Sequence, residues 1–287
     1  MKLIVESGAT KTSWRAISVD GTVCSSETAG LSPTCLDAEE INDIVRLAVP
    51  ELNPEGRAIE EIHFYGAGLV SESSVYPVRS ALETWCPFAE IYFHSDLMAA
   101  ARALFGNSSG IVAIMGTGSN SCLYENSEIV RNIRPGGFIL GDEGSGACLG
   151  KMFISDFIKG LLPAYIEKAF IERFGLDYAD IVRKVYKEAT ASAFLASFAP
   201  FILENLSDGY VNRLVHDCLE SFVSRTLSRY SEQEGPHTSA VGVVGSFGFA
   251  CRDIMTEIGS RYDLQFIKFI KSPIDELVKY HLHESNY

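Results

Sequence analysis

Two short turns carry the residues best suited to chemistry. The stretch Leu3–Trp14 reads LIVESGATKTSW, so Ser7, Gly8, Ala9, Thr10, Lys11 and Thr12 follow a short apolar run. A second run, GIVAIMGTGSNS over 110–121, ends in Gly116, Thr117, Gly118 and Ser119. Glycines let backbone N–H groups approach a ligand closely, and hydroxyls add donors, so two such turns facing each other can clamp a polyphosphate. The same residue types also make ordinary hairpin tips, and either turn taken singly leaves both readings open. Neither is a Walker loop, which needs G-x-x-x-x-G-K-[ST] between a strand and a helix. Lys11 has no glycine directly before it, and a strand, not a helix, follows. The segment GTGSNS lacks the third glycine of G-x-G-x-x-G and also leads into a strand.

The elements around these turns read as α/β. Leu3–Val5 and Ser13–Val19 are expected strands, with Asp20-Gly21 turning into a third strand over Thr22–Ser26. A helix with Asp37 as its cap follows, placing Ile41, Ile44, Val45 and Ala48 on one face. IHFYGAG and EIYFHS are expected strands, VYPVRSALETW and DLMAAARALFG expected helices, the latter opened by Ser95 or Asp96. Residues 110–130 then repeat the opening pattern of 2–23: strand, small-residue turn, strand, hairpin turn at Glu125–Ser127, third strand. This predicts an internal duplication beginning near residue 108, hence domains over 1–107 and 108–287, with the last helix free to pack back on the first domain. The second half is more helical, with one long amphipathic helix expected over 209–230 and a strand, a Gly-Ser turn and a helix in SAVGVVGSFGFACRDIM. The natural ligand site of such a pair is the cleft between the halves.

The chain has 287 residues and a net charge of −13. That charge argues against a nucleic-acid partner, since backbone phosphates are bound by lysine and arginine clusters. It also constrains any nucleotide site, which would have to hold phosphates by N–H groups, hydroxyls and a metal ion. No apolar run approaches the roughly 20 residues needed to cross a membrane, and the N-terminus does not resemble a secretory signal. Seven cysteines, at 24, 35, 86, 122, 148, 218 and 251, are scattered without a C-x-x-C. They point to reduced thiols and a cytoplasmic location.

Taken in order, ESGATKTSW, HSDLMAA, MGTGSNS, GGFILGDEGSG and VGVVGSFG resemble the N-acetylglucosamine kinase-like family. That family also includes the BadF/BadG-type ATPases, within the actin, heat-shock ATPase and sugar kinase superfamily. The resemblance covers nearly the whole chain and is weakest over 152–235. It implies two ribonuclease H-like (actin-like ATPase) domains with a nucleotide cleft between them.

What the resemblance implies can be placed residue by residue. Phosphate contacts fall on Ser7, Gly8, Ala9, Thr10, Lys11, Thr12, Gly116, Thr117, Gly118 and Ser119, and the adenosine element on Gly245 and Ser246. Asp96 takes the position of the catalytic base, which accepts the sugar hydroxyl's proton as it attacks the γ-phosphate. Its alternative is a helix cap worth about 1 kcal/mol. Asp142, with Asn120 and Gly137, maps to the sugar pocket, and Asp142 and Glu143 suit the N-terminus of the next helix equally. Glu6 stands where relatives carry an aspartate that positions Mg²⁺ through water, and Ser13 stands where they often carry another. An extra methylene moves the Glu6 charge by about 1 Å, a displacement that can cost on the order of 100-fold in rate.

The implied function is ATP- and Mg²⁺-dependent phosphorylation of an amino sugar or hexose, most like N-acetylglucosamine. Two alternatives stay open. One is an ATPase driving a radical dehydratase or reductase, with Cys148 near enough to a cleft to ligate a shared cluster. The other is a catalytically weakened sugar- or nucleotide-binding protein. Apolar helices in the second half are compatible with a homodimer.

Overall fold

In the computed structural model, described over residues 1–8, 11–31, 36–69, 71–231 and 238–284, the chain divides into two compact units. The first comprises Met1–Asn107 with Ser272–Tyr287, the second Ser108–Lys271. The described cysteines are all free. Among the described residues no helix is long and apolar enough to cross a membrane.

The first unit opens with β1 (Lys2–Ser7), β2 (Lys11–Ile17) and β3 (Val23–Ala29), followed by α1 (Ala38–Leu52). Then come β4 (Glu61–Gly66), α2 (Glu72–Trp85), β5 (Glu90–Ser95) and α3 (Asp96–Phe105). Its sheet has the order β3-β2-β1-β4-β5, with β1, β4 and β5 parallel and β1-β2-β3 antiparallel. Side chains alternate along each strand, and the sheet separates two environments. One face carries Leu3, Val5, Trp14, Ile62 and Phe64 and builds the apolar core with α1 and α2. The Asp37 cap of α1 is as expected, strengthened by Glu40 into a capping box.

The second unit runs β6 (Gly110–Met115), β7 (Ser119–Glu125), β8 (Glu128–Arg131), α4 (Gly137–Leu140) and α5 (Gly146–Ile158). A helical stretch follows: α6 (Ala164–Phe174), α7 (Tyr178–Tyr186), α8 (Ala191–Ala196), α9 (Ala199–Glu204) and α10 (Gly209–Arg225). It closes with β9 (Ala240–Val244), α11 (Ser246–Ala250), α12 (Arg252–Ser260) and β10 (Gln265–Ile270). Its sheet order, β10-β9-β6-β7-β8, repeats the first: β6 pairs antiparallel with β7 and parallel with β9, as β1 does with β2 and β4. Each unit therefore has its own sheet and its own apolar core. The final helix, α13 (Ile274–Glu284), packs on α3, β1 and β2.

Three local expectations are corrected. The first hairpin is tighter than the sequence suggests. Ser7 pairs with Thr12, so β2 starts at Lys11 and β3 is displaced to Val23–Ala29. The long helix over 209–230 stops at Arg225, and Leu227–Tyr230 forms a separate 3₁₀ turn. The cap of α5 is Ser145, whose hydroxyl accepts the Cys148 N–H, and not Asp142 or Glu143.

Candidate active site

In the first unit, the parallel strands β1, β4 and β5 end together, the place where open α/β sheets bind ligands. Cross-strand register puts Ser13, Glu6, Tyr65 and His94 in one row on the face away from the apolar core. Asp96 follows one residue after β5, as the first residue of α3. Ser95 is the cap of that helix, accepting the Met98 N–H at 3.1 Å. The cap position is thus already filled. The Asp96 carboxylate instead accepts the neighbouring Leu97 N–H at 2.8 Å.

The Asp96 charge acts on Glu6. Burial pushes the Glu6 carboxyl up to about 7, Lys11 opposes the shift, and the Asp96 charge reinforces it. Burial also raises Asp96, against hydrogen bonds from the Leu97 and Asp96 N–H groups. Two partly desolvated carboxylates, one close enough for its charge to act on the other, hold negative charge that a divalent cation would relieve. Among the described residues, no group of three or more acidic, histidine or cysteine side chains could cage a metal alone. The pair does fit Mg²⁺, which commonly takes one or two carboxylates and fills its remaining positions with water and substrate phosphate.

The first turn divides into braces and tip. Ser7 and Thr12 are buried. Their hydroxyls lie 2.9 Å apart, and both accept the Leu31 N–H, at 3.0 and 2.9 Å. Those oxygens hold the hairpin shut. Gly8, whose N–H reaches Lys11 O at 2.9 Å, and Lys11, whose Nζ pairs with Glu27, are the described tip residues a phosphate would meet. Ala9 and Thr10 lie outside the described residues.

In the second unit the corresponding turn closes the same way, with the Gly116 N–H on Gly118 O at 2.9 Å. The first turn of α5 is stitched to it, Gly146 N–H to Gly116 O and Ala147 N–H to Thr117 O. Ser119 Oγ donates to Glu143 O at 2.8 Å. Asp142, at a positive φ of 55°, accepts from the Ser119 and Gly137 N–H groups, while burial raises its carboxyl. A Cβ on Gly118 would come 2.9 Å from Asp142 Oδ2, so glycine is what admits the carboxylate. The structure thus brings Gly118, Ser119, Gly137 and Asp142 into one cluster. Asn120 lies beside it on β7, and its Oδ1 accepts from Asn132 and from the Ser121 N–H.

Gly245 and Ser246 link β9 to α11. Gly245 has φ of 125°, and a Cβ there would sit 2.2 Å from Met115 O, at the end of β6. Only glycine lets the two strand ends meet. Ser246 shares a cavity of about 540 Å³ with Gly116, Thr117 and Gly146, walled by Ala199, Pro200, Leu203, Phe247 and Ala250, with Glu204 at its edge. The α9 residues were missed from sequence because nothing in their spacing marks a site. The signal available was indirect, a short helix starting at a proline beside the second turn. Cys148 is nearly buried, its thiol accepting a hydrogen bond from Cys218 inside the unit.

Two α/β units of the same topology, each with a glycine turn after its first strand, define the class of protein: an actin-like ATPase and sugar-kinase fold. The sequence profile of the BadF/BadG/BcrA/BcrD ATPase family matches residues 5–247, and the chain belongs to that family. Two solved structures described as "putative N-acetylglucosamine kinase" are similar to it. The one from Porphyromonas gingivalis is 36% identical, covers 99% of this chain and 100% of its own, and superposes with a TM-score of 0.89. The one from Chromobacterium violaceum is 19% identical over 97% of this chain and 98% of its own, with a TM-score of 0.74. A ROK family glucokinase from Streptomyces griseus, in complex with glucose and AMPPNP, shares the fold at 16% identity and a TM-score of 0.58, over 97% of each chain. No curated protein matches the sequence.

Proposed function

We propose that the protein is an ATP-dependent kinase of an amino sugar or hexose, with N-acetylglucosamine the first acceptor to test. The observation that carries this reading is the half-buried pair Glu6 and Asp96 where the parallel strands end. The described kinase relative at 36% identity supports it. Gly8, Lys11, Gly116, Thr117 and Gly118 supply N–H groups and charge for the phosphates. The apolar cavity at Ser246 takes the nucleoside. Asp142, steadied by two backbone N–H groups, hydrogen-bonds sugar hydroxyls, and Asp96 accepts the proton of the attacking one. Glu6 would hold the nucleotide's Mg²⁺ through water, and the ion supplies neutralisation of the phosphate charge. The reading carries a cytoplasmic location with it, where ATP is drawn.

The test is ADP release with ATP and Mg²⁺ against a sugar panel. Turnover should depend on one sugar, and Asp96→Asn should lower kcat by about 10²- to 10⁴-fold. An Asp96→Asn enzyme as fast as wild type would reduce Asp96 to a structural residue. ADP release indifferent to every sugar would defeat the kinase assignment and favour an ATPase. Tight sugar binding without turnover would favour a binding protein.

A further inference from the structure

The face of the first sheet under α3 and α13 is polar where a core is usually apolar. Tyr65 and His281 are 0% and 1% exposed. Arg102 of α3 reaches both neighbouring strands, with Nη1 2.7 Å from Tyr65 Oη on β4 and 3.2 Å from His94 Nε2 on β5. Tyr65 Oη also lies 2.7 Å from His281 Nε2 on α13. The proton positions follow from the donor inventory. Arginine only donates, so Tyr65 Oη accepts from Arg102 and donates its own O–H to His281 Nε2, and His94 presents a bare Nε2. The guanidinium also stands 5.2 Å from the centroid of the Tyr280 ring, again on α13.

Helix α3 needs such a fastening. Its buried face is Leu97, Ala99, Ala100, Ala101, Ala103 and Leu104, four alanines among six. A face that smooth interlocks poorly and resists sliding along or rolling on the sheet only weakly. The Ser95 cap holds the first turn together but does not fix the helix axis against the strands. The two Arg102 bonds do, and they lie in the same short helix that begins with Asp96.

We propose that Arg102, Tyr65 and His281 are positioning residues that pin α3 so that Asp96 keeps its place beside Glu6, which makes the C-terminal helix α13 a working part of phosphoryl transfer. This rests on the kinase reading above. Loss of the pin displaces the base by a fraction of its working distance, and misplacement near 1 Å costs on the order of 100-fold.

The experiment compares Tyr65→Phe, His281→Leu and His281→Gln with Val45→Ala, which opens a cavity in the apolar core on the opposite face of the sheet. For each, kcat, both KM values, the melting temperature and amide exchange over residues 97–102 are measured. Tyr65→Phe and His281→Leu should lower kcat at least tenfold, leave both KM values within threefold and speed exchange in α3. His281→Gln, which keeps an acceptor for Tyr65, should recover most of the rate. Val45→Ala should lower the melting temperature and change neither kcat nor α3 exchange. Rates within twofold of wild type for Tyr65→Phe and His281→Leu, or losses matched by Val45→Ala, would overturn the proposal. If the wild type phosphorylates no sugar, the kinase reading falls and exchange decides alone. Faster exchange confined to 97–102 then sustains the pin, and unchanged exchange removes it.

Discussion

At Glu6, burial and the Asp96 charge favour the protonated form while Lys11 opposes them, and the balance lies at about 7. An exposed glutamate titrates near 4.5, so the folded state holds a proton there that the unfolded state has lost between those values. Stability therefore falls as pH rises from about 4.5 to about 7. The site carries this cost at the pH where it would work. Glu6→Gln should be more stable than wild type at pH 8, by up to about 3 kcal/mol, and no more stable at pH 4, as thermal melts at the two values will read. The same substitution should lower the rate, because the neutral amide no longer attracts the cation. The wild-type rate should climb through pH 7 as Glu6 ionises.

The helices α3 and α13 meet over three histidines. His63, His94 and His281 are all lowered, chiefly by burial, with the Arg102 charge adding to it; His94 falls to about 3 and His281 to about 2. The His63 ring lies tilted over His281, with centroids 4.0 Å apart, and approaches Glu61, whose hydrogen bond raises it against the trend. Each ring is neutral when folded and charges near 6.5 when unfolded, so their contribution is intact above pH 6.5 and is lost as pH falls below it. The three rings should take up to about three protons when the first unit unfolds in acid, less the one proton that Glu6 then gives up. A proton uptake below one, from the slope of stability against pH between 4 and 6, would contradict this. Replacing His94 with glutamine should flatten that slope.

The two units repeat one topology, yet the chain does not divide cleanly between them. Unit one takes its last helix from the far end of the sequence, after the whole of unit two. Arg15 of β2 pairs with Asp275, and Tyr65 with His281, so α13 covers a polar sheet face. Removing residues 272–287 should leave unit two with its own complete core and expose that face in unit one. Differential scanning calorimetry should then show a transition from unit two persisting while the one from unit one is lost or shifted down by more than 10 degrees. A truncated chain that melts as the full one does would show that α13 contributes little.

The repeat of strand, glycine turn and strand was legible because hairpins are local: alternating burial and turn residues mark them in the linear order. Glu6, Asp96, Gly118 and Asp142 entered as candidates through the motifs that carry the family resemblance. Which hydroxyls of the first turn are available was not legible. Ser7 and Thr12 look like phosphate ligands in sequence, and only the fold brings the Leu31 backbone onto both oxygens. The pairing of Glu6 with Asp96, ninety residues apart, and of Tyr65 with His281 likewise depends on which strands lie side by side and which helices cover them. Local pattern determined the elements and the types of residue at their ends. Tertiary packing alone decided which of those residues share a partly buried, poorly screened space, where their charges act on one another more strongly than in water.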